Sequence, residues 1–546
     1  MLRTLLGVLS IFLLFSCKQS PEPPEVVWVP YDESQDLMAT QELENSRMHM
    51  KLINAVVRDK NEIWAAFNDE LKGFASRYEA LKPLILEVSI PELQDHIMEG
   101  KLTYEELTRF YLFRIREMEA DNTTALNGVI ALNPDVLDQA RILDKQKTTD
   151  RYSLRGMPIL LKDNIGYQGL PTTAGAVALQ ENFTEDAFIT KKLKAAEALI
   201  LGKANLSEWA YFLCSGCPVG YSAVGGQTIN PYGRLRFESG GSSSGSGVST
   251  AANYAVATIG SETSGSILSP SSQNNIVGLK PTIGLLSRSG IVPISSTLDT
   301  PGPMTKNVID NALLLQAMLG QDAQDAASFA SPVNYVAAAR EGTLSEKRIG
   351  YFDEFMETAL YAEAISDLEA QGAILVPISP ERVPLNGFLN VLNLDMKQDL
   401  PEYLKTYGSS DLPIRDIESA VVYNAQDSVV RIPYGQQLFR GITKDTVTAE
   451  QLMEIKERLQ QDSRAYFDGA LDGETLDAVV SINNYHAAYA AMAKYPALTV
   501  PMGFTEEGEP MGLTFIAKNK MEHTLYGLAA PYEKATRHRR LPENYR

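Results

Sequence analysis

The feature that most constrains this chain is a run of glycine and serine between two segments that must be buried. Residues 239–247 read Ser-Gly-Gly-Ser-Ser-Ser-Gly-Ser-Gly, a composition typical of a flexible linker. A helix-like segment follows the run, however, and leads into the apolar residues 254–259; a second Gly/Ser-rich loop, residues 260–267, comes next. We interpret both as tight loops of a folded domain, where small residues permit unusual φ/ψ values and bring N–H groups close to a ligand.

Short apolar runs separated by helical segments predict the fold class. Beyond about residue 125, such runs occur at residues 128–131, 158–161, 198–201 and 254–259. Continuous apolar runs are typical of strands that are buried on both faces of a sheet covered by helices. No fixed repeat and no break in composition divides the interior of the chain. We predict an α/β fold, a single large domain with a central mixed β-sheet flanked by helices.

The N-terminus resembles the export signal of a bacterial lipoprotein. An apolar run over residues 5–15 is too short to span a bilayer as a mature helix. The run is followed at once by Ser16-Cys17, which completes a pattern that resembles a lipobox, and then by a Pro-rich polar stretch. The alternatives are an ordinary secretory signal with an incidental cysteine and an uncleaved anchor. We expect a signal peptide over residues 1–16, lipidation of Cys17 and a tether over residues 17–40.

This signal predicts where the protein lies. A lipid at Cys17 would attach the chain to a membrane of the cell envelope. An aspartate after the cysteine would favour inner-membrane retention by analogy, but Lys18 stands there, so we expect the outer membrane. Residues 41–89 have a helical pattern and predict an N-terminal helical extension. Pro91 suits a helix start, and residues 90–546 are assigned to one catalytic domain.

The charge balance limits the kinds of partner. The chain has 49 Lys and Arg residues against 68 Asp and Glu, a formal net charge of −19 at pH 7. Nucleic-acid binding draws on clustered basic residues, so this balance argues against a nucleic-acid partner. None of the five histidines pairs at the spacing of metal ligands. We expect no metal and no cofactor.

A Cys-Ser-Gly-Cys arrangement at Cys214 and Cys217 has three interpretations. It is typical of redox catalysis, of half a zinc site or of a local disulfide. No second pair of this kind and no nearby histidine completes a metal site, and no thioredoxin-like βαβ pattern surrounds it. We favour the structural interpretation, and an envelope location would permit a disulfide.

A serine is a poor nucleophile unless a base takes its proton, so a catalytic serine in this chain needs a partner base. No histidine lies beside a Gly-x-Ser-x-Gly turn that opens a helix. Lys162, directly after the apolar residues 158–161, is the remaining candidate base, because burial lowers the pKa of a lysine by disfavouring its charged form. Taken alone, a lysine at a strand end more often reaches solvent.

These residues lie in motifs that resemble those of the amidase signature family. The defining segment, residues 240–280, contains Gly-Gly-Ser-Ser-Ser-Gly-Ser, Gly-Ser-Glu-Thr-Ser-Gly-Ser-Ile and Val-Gly-Leu-Lys-Pro-Thr. The resemblance covers roughly residue 90 to the C-terminus, in ordered blocks that are unlikely to match by chance. The further matching blocks are residues 156–164, 202–208, 225–231, 284–287, 290–293, 298–304 and 495–503.

The resemblance implies a serine amidase that hydrolyses a small-molecule or peptide carboxamide through an acyl-enzyme and releases ammonia or an amine. Its triad would be Ser266 as nucleophile, Ser242 as bridging serine and Lys162 as base, with Ser242 and Ser266 24 residues apart, as in the family. The Gly241–Ser242 peptide bond would be cis. The resemblance also implies an oxyanion hole of backbone N–H groups from Thr263, Ser264, Gly265 and Ser266.

Three departures from the family pattern indicate which branch of the amidase signature family this chain resembles. Glu262, Ser264 and Leu268 stand where many members have Asp, Gly and Arg, which points away from the subunit of the tRNA-linked amidotransferase and towards the peptide-amidase-type branch. Residues 330–490 are predicted to determine substrate preference. Two other functions stay open: an amidotransferase A-like subunit, and a non-catalytic envelope lipoprotein on an amidase scaffold.

Overall fold

The computed structural model describes residues 26–146 and 149–546. The predicted signal peptide, Cys17 and the first part of the predicted tether lie outside the described residues. In these two ranges the strands form one sheet of 11 strands and a separate pair, β4 (Tyr221–Ser222) with β5 (Gly226–Gln227). The strands of the large sheet are β1 (Val129–Leu132), β2 (Pro158–Lys162), β3 (Leu199–Ala204), β6 (Ala257–Glu262), β7 (Val277–Lys280), β8 (Thr300–Thr305), β9 (Arg348–Phe352), β10 (Ile374–Ile378), β11 (Ala478–Ile482), β12 (Ala497–Phe504) and β13 (Pro510–Ile516).

The large sheet is mixed, with the order β1-β3-β2-β6-β8-β7-β12-β13-β11-β9-β10. β2 runs parallel to β3 and β6, and β9 runs parallel to β10 and β11. The remaining neighbours are antiparallel. Every residue of β2, β3 and β6 is buried, as their continuous apolar character requires. The predicted α/β fold with a mixed central sheet is confirmed.

Helices cover this sheet and follow one another along the chain between its strands. None of those in the described ranges is both long and apolar enough to cross a membrane. The α-helices are α1 (Ser34–Gln41), α2 (Ala75–Ile85), α3 (Ile90–Met98), α4 (Tyr104–Ala120), α5 (Val136–Leu143), α6 (Phe188–Ala195), α7 (Ser244–Ala251), α8 (Leu268–Gln273), α9 (Val308–Met318), α10 (Tyr335–Glu341), α11 (Ala359–Ala370), α12 (Phe388–Thr406), α13 (Ile417–Ala425), α14 (Ser428–Arg431), α15 (Gln437–Lys444), α16 (Ala449–Gly473), α17 (Ala487–Ala493) and α18 (Glu522–Thr536).

The first Gly/Ser-rich run is a rigid turn that opens α7. All eight residues of α7 are buried, and the helix packs against β2 and β6. A Cβ atom at Gly245 would lie 2.4 Å from the backbone N and O of Asn205, so only glycine lets the helix approach this closely. The run is therefore part of the core and not a linker, as its position between buried segments predicts.

The segment predicted to be a tether is partly folded onto the domain. Among its described residues, 26–40, Trp28 is 8% exposed and belongs to the main core. Its indole N–H donates to Asn122 Oδ1 at 2.7 Å, and α1 follows at Ser34–Gln41. The expectation of a free spacer is corrected for residues 26–40, because an aromatic side chain there has a buried site on the domain.

Residues 41–89 are less helical than predicted. α2 is the one α-helix that lies wholly within them, and Trp64 and Phe67 are buried in the main core. The segment therefore packs as an arm on the rest of the domain, and its apolar side chains are buried there without forming one continuous helix. The rest of its regular structure consists of short 3₁₀ turns at Ser46–Met48, Lys60–Ile63 and Ala65–Phe67.

A buried ion pair holds this arm to the domain. Lys60 Nζ lies 2.7 Å from Glu119 Oε2, at the end of α4, and donates to Asn127 Oδ1 at 2.7 Å. The two charged side chains are 9% and 1% exposed. Glu119 also accepts the backbone N–H groups of Leu126, Asn127 and Gly128. Removing Lys60 would leave these hydrogen bonds but bury the carboxylate without a counter-ion, which is destabilising.

We expect Lys60→Met to lower the free energy of unfolding by about 3 kcal/mol, because it leaves the Glu119 carboxylate buried without its cation. Denaturation of the purified full-length protein in guanidinium chloride measures this loss. The matched control is Lys101→Met, whose partner Glu99 is exposed, and it should change stability little. Equal stability of the two variants would contradict the assigned role of Lys60.

Candidate active site

The carboxyl ends of β2 and β6 bring the predicted base and bridging serine together. The strands are parallel neighbours with Leu161 opposite Ile259, so Lys162 at the end of β2 lies beside the last residues of β6. Lys162 Nζ donates to Ser242 Oγ at 2.8 Å. It also donates to the backbone oxygen and the hydroxyl of Ser261, at 3.0 and 2.9 Å. Lys162 and Ser242 are both 0% exposed, so this contact is closed to bulk water.

The environment of Lys162 favours a neutral amine. Burial lowers the pKa of Lys162 from 10.5 to about 7, while the carboxylates of Asp299 and Glu262 act in the opposite direction. All three acceptors around Nζ are neutral oxygens, so none of them forms an ion pair that would hold the proton. A neutral amine has two N–H donors and one lone pair. It can satisfy both oxygens of Ser261 and still accept a proton from the hydroxyl of Ser242.

The backbone around Ser242 ties the two Gly/Ser-rich loops together. The Gly241–Ser242 peptide bond is cis, as the family resemblance implies. The carbonyl oxygen of Ser242 accepts the N–H of Ser207 at 3.0 Å. The N–H of Ser243 donates to the carbonyl oxygen of Ser266 at 3.1 Å. The bridging serine and the predicted nucleophile therefore belong to directly bonded stretches of chain.

Ser266 lies in the second loop, between β6 and α8, and is 9% exposed. Glu262 orders this loop from the end of β6. Its Oε1 accepts the N–H of Gly265 at 2.7 Å, and its Oε2 accepts those of Ile267 at 2.7 Å and Leu268 at 3.0 Å. The carboxylate thus satisfies N–H groups at the start of α8, where a negative charge is favourable. Its three hydrogen bonds hold the backbone on both sides of Ser266.

The contacts of Glu262 correct one of the predicted oxyanion donors. Of the four N–H groups expected to face the oxyanion, that of Gly265 is already bonded to Glu262. Those of Thr263, Ser264 and Ser266 donate to no acceptor in the described part of the chain. They remain the candidate oxyanion donors, since a catalytic N–H must be free to meet the charge that develops on the substrate.

A second buried carboxylate supports the far side of the loop. Asp299 Oδ1 accepts the hydroxyl of Thr263 at 2.6 Å, and Oδ2 accepts the N–H groups of Ile294 and Ser295 at 2.8 and 2.9 Å. Burial raises the pKa of Asp299 to about 6, and these hydrogen bonds oppose the shift. Asp299 therefore joins the start of the serine loop, residues 263–267 between β6 and α8, to the chain before β8.

A cavity of about 550 Å³ opens beside this loop. Its lining includes Thr263 and Asp299, which bond to each other at this loop. The lining also includes Asp399, Tyr403 and Tyr407, from α12 and the residue after it. The structure thus places residues of the 330–490 segment, predicted to determine substrate preference, directly in the wall of the cavity next to the serine loop.

The Cys-Ser-Gly-Cys arrangement is a local disulfide between Cys214 and Cys217. The hydroxyl of Tyr211 donates to the carbonyl oxygen of Cys217 at 2.7 Å and closes the same turn. Of the three interpretations of these cysteines, the structural one is confirmed.

The sequence alone did not indicate the residues that position the predicted triad. Ser261, Glu262 and Asp299 lie in the motifs that carried the resemblance, but their roles depend on contacts across the fold. Asn164, two residues after the base, donates from Nδ2 to Ser261 Oγ at 2.9 Å. One signal was available for Glu262, since a carboxylate at the end of a buried strand must find N–H partners.

Comparison with known proteins agrees with this geometry. The family model described as Amidase matches residues 106–481. A probable amidase of Arabidopsis thaliana is 35% identical over 480 residues, which cover 84% of this chain and 92% of the relative. The glutamyl-tRNA(Gln) amidotransferase A subunit of Thermosynechococcus vestitus is 31% identical over 483 residues, covering 82% of this chain and 98% of the relative.

Solved structures give the same result. An amidase family protein from Bacillus anthracis superposes with a TM-score of 0.85 at 35% identity, covering 90% of this chain and 100% of the other. The native peptide amidase from Stenotrophomonas maltophilia superposes with a TM-score of 0.79 at 36% identity, covering 84% and 99%. This chain belongs to the Amidase family, and the protein is accordingly an amidase, a hydrolase.

Proposed function

We propose that this amidase hydrolyses a carboxamide through an acyl-enzyme on Ser266, with Ser242 and Lys162 as its proton relay. The observation that carries the proposal is the buried contact between Lys162 Nζ and Ser242 Oγ at 2.8 Å. A lysine with a pKa of about 7 is half neutral at physiological pH and can serve as a base. Without such a base, a serine hydroxyl is a weak nucleophile.

The proton moves in two linked steps. The lone pair of neutral Lys162 takes the hydroxyl proton of Ser242, and Ser242 takes the proton of Ser266. Ser266 Oγ then forms a bond to the carbonyl carbon of the amide. The N–H groups of Thr263, Ser264 and Ser266 are candidate donors for the oxyanion. Because the backbone already holds them in place, they can stabilise its negative charge without the protein rearranging.

Breakdown of this adduct reverses the relay. The proton returns through Ser242 to the amide nitrogen, the C–N bond breaks, and ammonia or an amine leaves. Water then attacks the ester on Ser266 with the same relay as its base. The carboxylic acid leaves, and the serine regains its proton.

The substrate class is proposed from the branch of the family. The peptide amidase is more similar in sequence to this chain than the amidotransferase subunit is, at 36% against 31% identity. We therefore propose a peptide amide or a small-molecule carboxamide as substrate, and a free enzyme in preference to one component of a tRNA-linked complex. The departures at Glu262, Ser264 and Leu268 support the same choice.

The Ser266→Ala variant should lose hydrolysis of a peptide C-terminal amide by several orders of magnitude, because no nucleophile remains. Release of ammonia measures the rate, and circular dichroism with thermal unfolding checks that the fold is intact. The matched control is Ser269→Ala in α8 on the same stretch of chain, which should keep the parent rate. Substantial turnover by a folded Ser266→Ala protein would refute the nucleophile.

We also propose that the protein is a lipoprotein of the cell envelope, anchored through Cys17 in the outer membrane. The support is the lipobox-like sequence at residues 14–17 with the Pro-rich polar stretch behind it. Trp28 lies 11 residues after Cys17 and is held on the domain, so a tether of this kind would be short. The active site would then work close to a membrane surface.

With Cys17→Ser, the protein should no longer incorporate a radiolabelled fatty acid and should leave the membrane fraction, because no thiol remains to be acylated. Membrane fractionation and fatty-acid labelling in a bacterial host measure the two effects. The Ser16→Ala variant is the matched control and should stay lipidated. Retention of the label by Cys17→Ser would place the lipid on another residue, and a parent protein without the label would exclude lipidation.

A further inference from the structure

The cavity beside the serine loop has more acidic than basic side chains in its wall. Asp299, Asp325, Asp399 and Glu402 line it, against Arg288 as the basic residue of the lining. Acidic side chains alone do not make a binding site. Their contacts decide which of them are available to a ligand.

The positive charge of this wall is already neutralised within the protein. The Nε of Arg288 donates to Asp325 Oδ2 at 2.8 Å, and its Nη2 donates to Asp325 Oδ1. This two-point pair occupies both carboxylate oxygens and the guanidinium together. The charges of Arg288 and Asp325 therefore cancel, and the remaining charged residues of the cavity lining are carboxylates.

One face of α12 presents two of these carboxylates with two aromatic rings. Glu402 and Tyr403 follow Asp399 by three and four residues, and Tyr407 follows Tyr403 by four. These residues therefore lie on one side of the helix and its continuation. Asp399 Oδ2 accepts the N–H of Ser296 at 2.6 Å, and burial raises the pKa of this carboxyl. Glu402 is exposed at the rim and forms a surface ion pair with Lys405 at 3.8 Å. An exposed pair of this kind contributes little free energy, so a cationic ligand can compete for the carboxylate.

An independent observation at Asn164, another residue of the same lining, points to a ligand with hydrogen-bond donors. Asn164 lines the cavity and is 3% exposed. Its Nδ2 donates to Ser261 Oγ and, at 3.4 Å, to the carbonyl oxygen of Val292, which fixes the orientation of the amide. Its Oδ1 is buried and has no partner among the described residues. A buried acceptor of this kind costs free energy until a donor reaches it.

We infer that the cavity binds the acyl part of an amide that carries a positive charge, such as a primary ammonium group. Asp399 and Glu402 supply the negative charge for it, Tyr403 and Tyr407 supply aromatic faces beside it, and Asn164 Oδ1 supplies an acceptor for an N–H group of the ligand. This inference rests on the proposed hydrolysis by Ser266 and names the class of substrate that the site prefers.

The size of the cavity is compatible with an acyl part of this kind when the leaving group is ammonia. A space of about 550 Å³ is far larger than an ammonia molecule needs, since a water molecule takes up about 30 Å³ in the liquid. An acyl group with a side chain of several carbon atoms fits such a volume. The charged end of this group would lie towards α12 and its carbonyl carbon towards the serine loop.

The test compares two amides whose side chains share the same unbranched four-carbon chain. Acetyl-lysine amide and acetyl-norleucine amide differ in a terminal ammonium group, and ammonia release by the full-length protein in detergent gives kcat/KM for each. We expect the lysine amide to be preferred by roughly 5-fold or more, the effect of a charge pair near a surface. The preference should shrink as NaCl rises from about 0.05 to about 0.5 M, because salt screens exposed charges.

The variants identify the carboxylates responsible. Glu402→Gln and Asp399→Asn should each lower the ratio of the two kcat/KM values, and Glu402→Lys should lower it further. The ratio is the readout because a general disturbance of the site affects both substrates alike. Glu418→Gln removes an exposed carboxylate of α13 outside the cavity and should leave the ratio unchanged.

Two results would overturn the inference. In the first, the parent enzyme prefers the norleucine amide or hydrolyses both amides equally well. In the second, the ratio of the two kcat/KM values is unchanged by both Glu402→Lys and Asp399→Asn. Either result leaves the proposed nucleophile standing if Ser266→Ala is inactive on both amides. Equal turnover by the parent and Ser266→Ala would instead refute the nucleophile.

Discussion

Burial of the Lys162 amine against neutral oxygens is the interaction on which the rest of the site depends. A lysine in water holds its proton firmly at neutral pH, and only desolvation brings its pKa to about 7. The sheet achieves this because β2 ends beside β6, where oxygens of Ser261 and Ser242 accept hydrogen bonds from the amine at 2.8–3.0 Å. The surrounding carboxylates, Glu262 and Asp299, are each engaged by backbone N–H groups, so they order the loops without forming an ion pair with the base.

This arrangement explains why the chain uses so much glycine and serine in its interior. α7 must lie close to neighbouring backbone, which Gly245 permits, and the loops around it must offer hydroxyl and N–H groups in a dry environment. Each of these polar groups needs a partner when water is excluded. Ser243 bonds Ser266 through its backbone, and Glu262 bonds three N–H groups, so the protein meets this requirement with fixed contacts. The fixed backbone then leaves a small number of N–H groups free for a substrate.

Much of the fold could be predicted from the sequence, and so could the residues of the proposed triad, because both depend on local patterns. Continuous apolar runs predicted the buried strands, and ordered motifs predicted Lys162, Ser242 and the cis peptide bond before it. Contacts between distant residues could not be predicted in this way. The bond from Glu262 to the N–H of Gly265 removes one expected oxyanion donor, and Trp28 packs on the domain where a free tether was expected. Both depend on which surfaces meet in three dimensions.

The central claim is that neutral Lys162 activates Ser266, and the pH dependence of a covalent serine probe tests it most directly. A fluorophosphonate should label Ser266, as peptide mapping by mass spectrometry would establish. Below a pKa of about 7 the amine is protonated and cannot accept a proton, so the labelling rate should fall about tenfold per pH unit there and level off above it. Lys162→Met should abolish labelling. A rate that does not change between pH 5.5 and pH 9, or a label on a residue other than Ser266, would contradict the account.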